Sequence, residues 1–223
     1  MTERPRAPGR MRGGAPSGLA ARLYEPLLGW ALEGVRRMVL ALVPPRPGMT
    51  VVDVGCGTGE MLARYAAAGC RVAGIDVSAG MIAEARRRLG RGALLAVGEA
   101  TALPFPAGGA ELVLATMLLH GLPGNARVPA LREMARVAGE GGRVLVADHH
   151  PGRERGAPPL VARGVARAVE FVAGHGPGVH SLLAGGGVPG LAAQAGLALE
   201  AAGTAAGGAI SVARLRPVAP PGR

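Results

Sequence analysis

The ten residues VVDVGCGTGE, Val51 to Glu60, constrain this chain more than any other stretch. Four residues that suit a buried strand run into three glycines at alternate positions, with a carboxylate, Asp53, just before the break. Glycine at such a turn permits positive φ and lets a ligand lie against bare backbone. A helix starting there adds N–H groups with no partner inside the helix.

Strand and helix patterns alternate along the chain. MTVVDV reads as strand, Glu60 to Ala68 as helix, RVAGID as strand, Ala79 to Leu89 as helix and ALLAV as strand. ELVLAT is then a strand, Arg127 to Val137 a helix and RVLVAD a strand, followed by a helix with Val161, Val165, Ala168, Val169 and Val172 on one face. Such alternation implies parallel pairing through right-handed crossovers. The expected fold class is α/β, a doubly wound and mostly parallel sheet. Gly55, Gly57 and Gly59 fall where the first strand meets the first crossover helix, at the carboxyl edge where these sheets bind ligands.

Upstream, Leu27, Trp30, Ala31, Gly34 and Met38 recur at helical spacing, and the helix they define should stop before PPRPG at Pro44 to Gly48. Near the other end GGGVPG, Gly185 to Gly190, reads as a loop before a short helix and a hairpin. The expected organisation is a disordered basic tail over 1–16, one domain over 17–216 and a second tail over 217–223. Within the domain, 17–47 is helical, 48–150 is the ligand-binding core and 151–216 carries the substrate-side helices and last strands.

Composition excludes several classes. With 223 residues, 49% hydrophobic but only 2% aromatic, the core must be built from Ala, Val, Leu and Ile. No apolar run reaches the ~20 residues of a membrane span, and no hydrophobic segment follows the basic N-terminus closely enough for a secretory signal, so a cytoplasmic protein is expected. Cys56 and Cys70 lack a metal-spaced second pair, so reduced thiols and no metal site are expected. The net charge of +10 invites a nucleic-acid reading. All 25 positive side chains are arginine, however, dispersed along the chain with few aromatics to stack bases, which suits a solvated basic surface.

Two acids narrow the ligand. Asp53 at the glycine turn would repel a diphosphate but accept an amine or a sulfonium cation. Asp76 closes the second strand, where this architecture places a carboxylate on ribose hydroxyls. The glycine spacing is GxGxG rather than the GxGxxG of dinucleotide folds, which disfavours a nicotinamide cofactor.

At this point the chain resembles the class I S-adenosylmethionine-dependent methyltransferases, the branch acting on quinones, lipids and other small molecules. VVDVGCGTGE resembles the family's first motif, which implies that Asp53 and the backbone of Gly55, Cys56, Gly57, Thr58 and Gly59 hold the methionine end of the cofactor. GIDVSAGMIAEAR resembles the second, implying Asp76 on the ribose and Val77 and Met81 beside the adenine. GEATALPFP is similar to the family's GDAxxLPF, implying Glu99, Ala100 and Thr101 near the adenine amino group. ELVLATMLLH and REMARVAGEGGRVLVAD resemble the fourth and fifth strands and their helix, which adds Thr116 and Met117 to the cofactor set. Tyr24, in an LYE triplet similar to the family's YD, would sit on an N-terminal helix that lids the cofactor. Ala110-Glu111 and the turn from Ala138 to Gly142 depart from the family's pattern, outside this pocket.

The resemblance implies S-adenosylmethionine as cofactor, S-adenosylhomocysteine as product, and a small-molecule acceptor. The N-terminal helix, the His120 to Asn125 loop and Phe171 to Gly190 carry mostly apolar residues, which points to a hydrophobic or amphiphilic acceptor and to membrane-surface contact if that acceptor is a lipid or quinone. His120, after the fourth strand, is the candidate general base for a hydroxyl acceptor; His149 and His150 follow the fifth strand. For each histidine a core or solvated role competes. A nucleic-acid methyltransferase lacks support at ATMLLH, which has no Asn-Pro-Pro-aromatic signature, and a non-catalytic cofactor-binding protein is the remaining alternative.

Overall fold

The computed structural model of the chain describes residues 32–150 and 176–218. Strands β1 (Thr50–Val54), β2 (Arg71–Asp76), β3 (Ala93–Val97), β4 (Leu112–Thr116), β5 (Arg143–His149), β6 (Leu197–Ala205) and β7 (Ile210–Pro217) form one sheet in the order β3-β2-β1-β4-β5-β7-β6. The first five pair in parallel, whereas β7 runs antiparallel to β5 and β6 antiparallel to β7. The strand order reverses between β1 and β4, which opens a crevice beyond their carboxyl ends.

Helices α1 (residues 32–42), α2 (Glu60–Ala67), α3 (Ala79–Leu89), α4 (Gly124–Ala138), α5 (Gly176–Ala184) and α6 (Gly187–Gln194) cover the sheet. Alternation along β1 divides the core into two layers. Val52 and Val54 pack with Leu131, Met134 and Val137 of α4 and with Leu182 of α5. Val51 and Cys56 pack on the opposite face with Met61, Leu62 and Tyr65 of α2 and Val35 and Val39 of α1. Each fully buried aliphatic side chain here contributes roughly 1.5 to 3 kcal/mol of burial.

The described part of the N-terminal helix is therefore a packing helix. Arg64 of α2 holds both carboxylate oxygens of Glu33, at 3.1 and 2.8 Å, and Tyr65 donates its hydroxyl to the carbonyl of Val43 just past the helix end. α1 stops at residue 42, ahead of the prolines, as the sequence requires. Tyr24 and the helix with Val161 to Val172 lie outside the described residues.

Several boundaries differ from the sequence reading: α4 begins at Gly124 rather than Arg127, and β5 continues to His149. GGGVPG is only partly a loop: Gly185 and Gly186 turn, but α6 already begins at Gly187 and contains Pro189 in its first turn, where a missing N–H costs nothing. The final hairpin of β6 and β7 is present, and no described helix is long and apolar enough to cross a membrane.

Candidate active site

The site begins at the end of β1. Register pairs Asp53 with Gly74 of β2 and with Leu114 of β4, so the carboxylate sits inside the sheet where the strand order reverses. Asp53 is 3% exposed, and its Oδ1 is buried with no hydrogen-bond partner among the described residues. Burial pushes its carboxyl up to about 8, with the nearby charge of Asp76 adding to the shift. A buried carboxyl oxygen left without a donor is costly unless something brings one, and a cationic ligand would do so.

The glycine turn is tied to β2 and α3, with Arg88 donating to the carbonyl of Thr58 at 3.0 Å. Gly55 and Cys56 both donate to the carbonyl of Ile75 in β2, at 2.8 and 2.9 Å, and Gly57 donates to Asp76 Oδ2 at 2.9 Å. The three glycines serve different needs. A Cβ on Gly55 would press on Leu118, and one on Gly59 on Leu89 and Ala85 of α3, so these two are closed by packing. Gly57 has φ of +54° with nothing within 4 Å of a built Cβ, so its Cα faces open space. Cys56 is buried against Gly74, where a Cβ would meet its sulfur at 2.9 Å, and burial holds its thiol far above the usual range. Its side chain is therefore a packing group. Thr58 is buried beside them.

Asp76 closes β2 half-buried. Its Oδ1 accepts from Ser78 N–H at 2.8 Å and its Oδ2 from Gly57, while Ser78 caps α3 by accepting from Met81 N–H. Burial raises the carboxyl above its ordinary value, against the two N–H donors that lower it. Two hydrogen bonds leave an ionised carboxylate further acceptor capacity. Val77, beside it, is 42% exposed although apolar, and Met81 is buried. Glu99 is exposed in the turn after β3, with Ala100 and Thr101 half-buried behind it. They share the carboxyl edge with Asp76, whose carbonyl accepts from Gly98 N–H at 3.1 Å.

At the end of β4, Thr116 Oγ1 is a second buried oxygen without a partner among the described residues, and Met117 has φ of +57°, a strained conformation for a non-glycine residue. Its N–H is fixed to the carbonyl of Ala147 at 2.8 Å. The 3₁₀ turn Leu119–Gly121 follows and carries His120, 5% exposed. His120 Nδ1 lies 2.9 Å from Oδ1 of Asp148 on β5, and its backbone N–H donates to Asp148 Oδ2 at 3.2 Å. Oδ1 also accepts from His149 N–H, and the His149 ring stands edge-on to His120 at 4.9 Å.

Asp148 was not singled out by the sequence, yet it is fully buried and organises this corner. Burial raises its carboxyl, but the bonds from His120 and His149 outweigh that and hold it below the ordinary value, so it is ionised and acts as acceptor. Nδ1 of His120 is then the donor in this contact. The ligating atoms of His120, Asp148 and His149 lie within 4.8 Å of one another. Nδ1 and Oδ1 are also joined directly by the 2.9 Å hydrogen bond. The missed signal was present: RVLVAD ends an apolar strand in aspartate just as RVAGID does.

Fold and site together define a doubly wound protein with a glycine cradle, two strand-end acids around it, and a histidine–aspartate pair on the far side of the strand reversal. The family model of a methyltransferase domain matches residues 51–142. Among curated proteins, a phosphatidylethanolamine N-methyltransferase of Cereibacter sphaeroides is 35% identical over 150 residues, 65% of this chain and 71% of that protein. A demethylmenaquinone methyltransferase of Beutenbergia cavernae is 40% identical over 113 residues, 51% of this chain and 46% of that protein. The chain spans about half the length of the first curated relatives it matches. The crystal structure of an O-methyltransferase from neocarzinostatin biosynthesis, in complex with S-adenosylmethionine and 2-hydroxy-5-methyl naphthoic acid, superposes with a TM-score of 0.63 at 26% identity. The match covers 89% of this chain and 56% of that one. This chain belongs to the class I S-adenosylmethionine-dependent methyltransferase family.

Proposed function

We propose that this chain transfers a methyl group from S-adenosylmethionine to a hydroxyl of a small hydrophobic or amphiphilic acceptor, releasing S-adenosylhomocysteine. The observation that carries the reading is Asp53 Oδ1, a buried carboxyl oxygen without a hydrogen-bond partner among the described residues, in a strand that runs into a glycine turn with open space beside Gly57. Both fit the cationic, bulky methionine end of this cofactor, and neither is accounted for by packing.

Asp53 would pair with the ligand's amine, and the backbone from Gly55 to Gly59 would lie along the same end. Asp76 would accept from the ribose hydroxyls with its remaining lone pairs. Val77, Met81, Glu99, Ala100 and Thr101 would flank the base, with Thr116 and Met117 closing the inner wall and Tyr24 covering the site from the N-terminal segment. The cofactor supplies a methyl group already activated on a sulfonium. The protein's remaining task is to hold an acceptor in line with it.

His120 supports a hydroxyl acceptor. Asp148 fixes the imidazole in the tautomer with Nδ1–H, so Nε2 can take the acceptor's proton while the carboxylate stabilises the imidazolium that forms. The names of the relatives, which include a phospholipid and a quinone precursor, support an apolar or amphiphilic acceptor. With a lipid or quinone acceptor, the surplus of arginine would favour contact with an anionic membrane surface.

Incubation with methyl-labelled S-adenosylmethionine and 2-hydroxy-5-methyl naphthoic acid, or demethylmenaquinone chemically reduced to its quinol, as probe acceptors tests this. Label on an acceptor oxygen is the expected result. Cofactor binding with label found only on nitrogen or carbon acceptors would overturn the hydroxyl assignment, and failure to bind the cofactor would overturn the whole reading.

A further inference from the structure

We propose that Arg127 is a positioning residue that locks the His120 turn and the substrate-side helix α5 to one another, so that the acceptor wall and the proton acceptor move as one body. The catalytic meaning of this rests on the reading of His120 given above.

Arg127 projects from the first turn of α4 and is 3% exposed. Its Nε donates to the carbonyl of Leu119 at 2.9 Å, Nη2 to the carbonyl of Gly178 at 2.9 Å, and Nη1 to Ser181 Oγ at 3.2 Å. All three acceptors are neutral, and among the described residues no carboxylate lies within ion-pairing distance; Asp148 acts on it only through space. Burying a guanidinium without a paired carboxylate is a poor route to stability. Three fixed N–H directions are what such a group offers in return.

A second contact joins the same parts independently. At Gly178 in α5 a built Cβ would lie 2.1 Å from the carbonyl oxygen of His120, so the helix backbone rests directly on the turn. His120 is thus held by Asp148 through its N–H and ring, by Arg127 through the preceding carbonyl, and by Gly178 through its own carbonyl. A packed arginine that only stapled α4 to α5 would have no need of the Leu119 carbonyl.

The Nδ1–H of His120 gives a readout that needs no acceptor. Buried and bonded to an ionised carboxylate, it should appear as a slowly exchanging downfield proton in spectra of the full chain labelled with ¹⁵N-histidine, and vanish in Asp148→Asn. Arg127→Met should shift or broaden this resonance while the chain still melts cooperatively and binds S-adenosylmethionine within about twofold of wild type. Arg127→Lys, able to remake part of the contact, should restore it partly. Gly178→Ala, which leaves Arg127 in place, should perturb the same signal. If Arg127→Met does not fold, Ser181→Ala and Arg127→Lys carry the test with graded shifts. An unchanged resonance in the folded Arg127 variants would reduce Arg127 to a helix staple and overturn the proposal, as would its absence in wild type. A wild-type chain that shows the resonance but labels no hydroxyl would overturn only the functional reading.

Discussion

Asp76 reaches back from the end of β2 to the glycine turn, where its Oδ2 accepts the N–H of Gly57 at 2.9 Å. The acid expected on the ribose therefore also shapes the cradle, which joins the two halves of the cofactor site through one side chain. Asp76→Ala should weaken S-adenosylmethionine binding about tenfold or more, since unpaired polar groups in a partly dry pocket cost ~1 to 3 kcal/mol. Calorimetry on the folded variant checks this; unchanged affinity would remove Asp76 from the site.

Asp53 gives a pH signature. Its carboxyl is pushed up to about 8 in the folded chain, so the folded state holds this proton more tightly than the unfolded state, which releases it near pH ~4. Its contribution to stability is therefore fully present below pH ~4 and is lost as pH rises towards 8, at up to ~1.4 kcal/mol per unit. Denaturant unfolding of the ligand-free chain should show that decline, and Asp53→Asn, which resembles the protonated group, should flatten it. Binding a cation to Asp53 requires the ionised form, so binding at pH 7 should release up to one proton. Heats measured in buffers of different ionisation enthalpy would reveal this, and equal heats in all buffers would contradict it.

His120→Ala should lower kcat on a hydroxyl probe by about 10² to 10⁴ while leaving cofactor affinity unchanged. Asp148→Asn should act in the same direction, because an amide can stabilise the wrong tautomer. Full turnover by either variant at saturating acceptor and cofactor would exclude proton transfer by this pair.

The β-strand alternation and the glycine turn were legible because each rests on local chemistry: apolar runs closed by Gly, Asp or Pro, at spacings set by the backbone. So was the placing of Asp53 and Asp76 on the neighbouring strands β1 and β2, although the register sets Asp53 opposite Gly74, two residues before Asp76. Asp148 and Arg127 were not legible as site residues. Their partners lie 28 residues away at His120, which the pairing of β4 with β5 brings to Asp148, and 51 or more away at Gly178 and Ser181, which the packing of α5 on the His120 turn brings to Arg127. GGGVPG misled for the opposite reason. Glycine and proline usually punctuate a chain, but here Pro189 falls in a helix's first turn, where it is tolerated.

Gly74→Ala tests the packing role of Cys56. The added methyl would lie 2.7 Å from Leu62 Cδ1 and 2.9 Å from Cys56 Sγ, so overpacking should cost ~1 to 3 kcal/mol. Cys56→Ala in the same chain should recover part of the loss by removing the sulfur. Denaturant melts that show no recovery would place the strain on Leu62 alone.

The most direct test of the account is the response of Gly57→Val to the cofactor. A Cβ there meets no described protein atom within 4 Å, so if the turn cradles the cofactor the side chain should remove ligand binding, with backbone strain at positive φ as a separate, ligand-independent loss. Bound ligand stabilises the native state by RT ln(1 + [L]/Kd), ~2.7 kcal/mol at a hundredfold excess. Thermal melts with and without S-adenosylmethionine should raise the Tm of wild type and leave that of Gly57→Val unmoved. An equal rise in both would show that the glycine turn of VVDVGCGTGE does not cradle the cofactor.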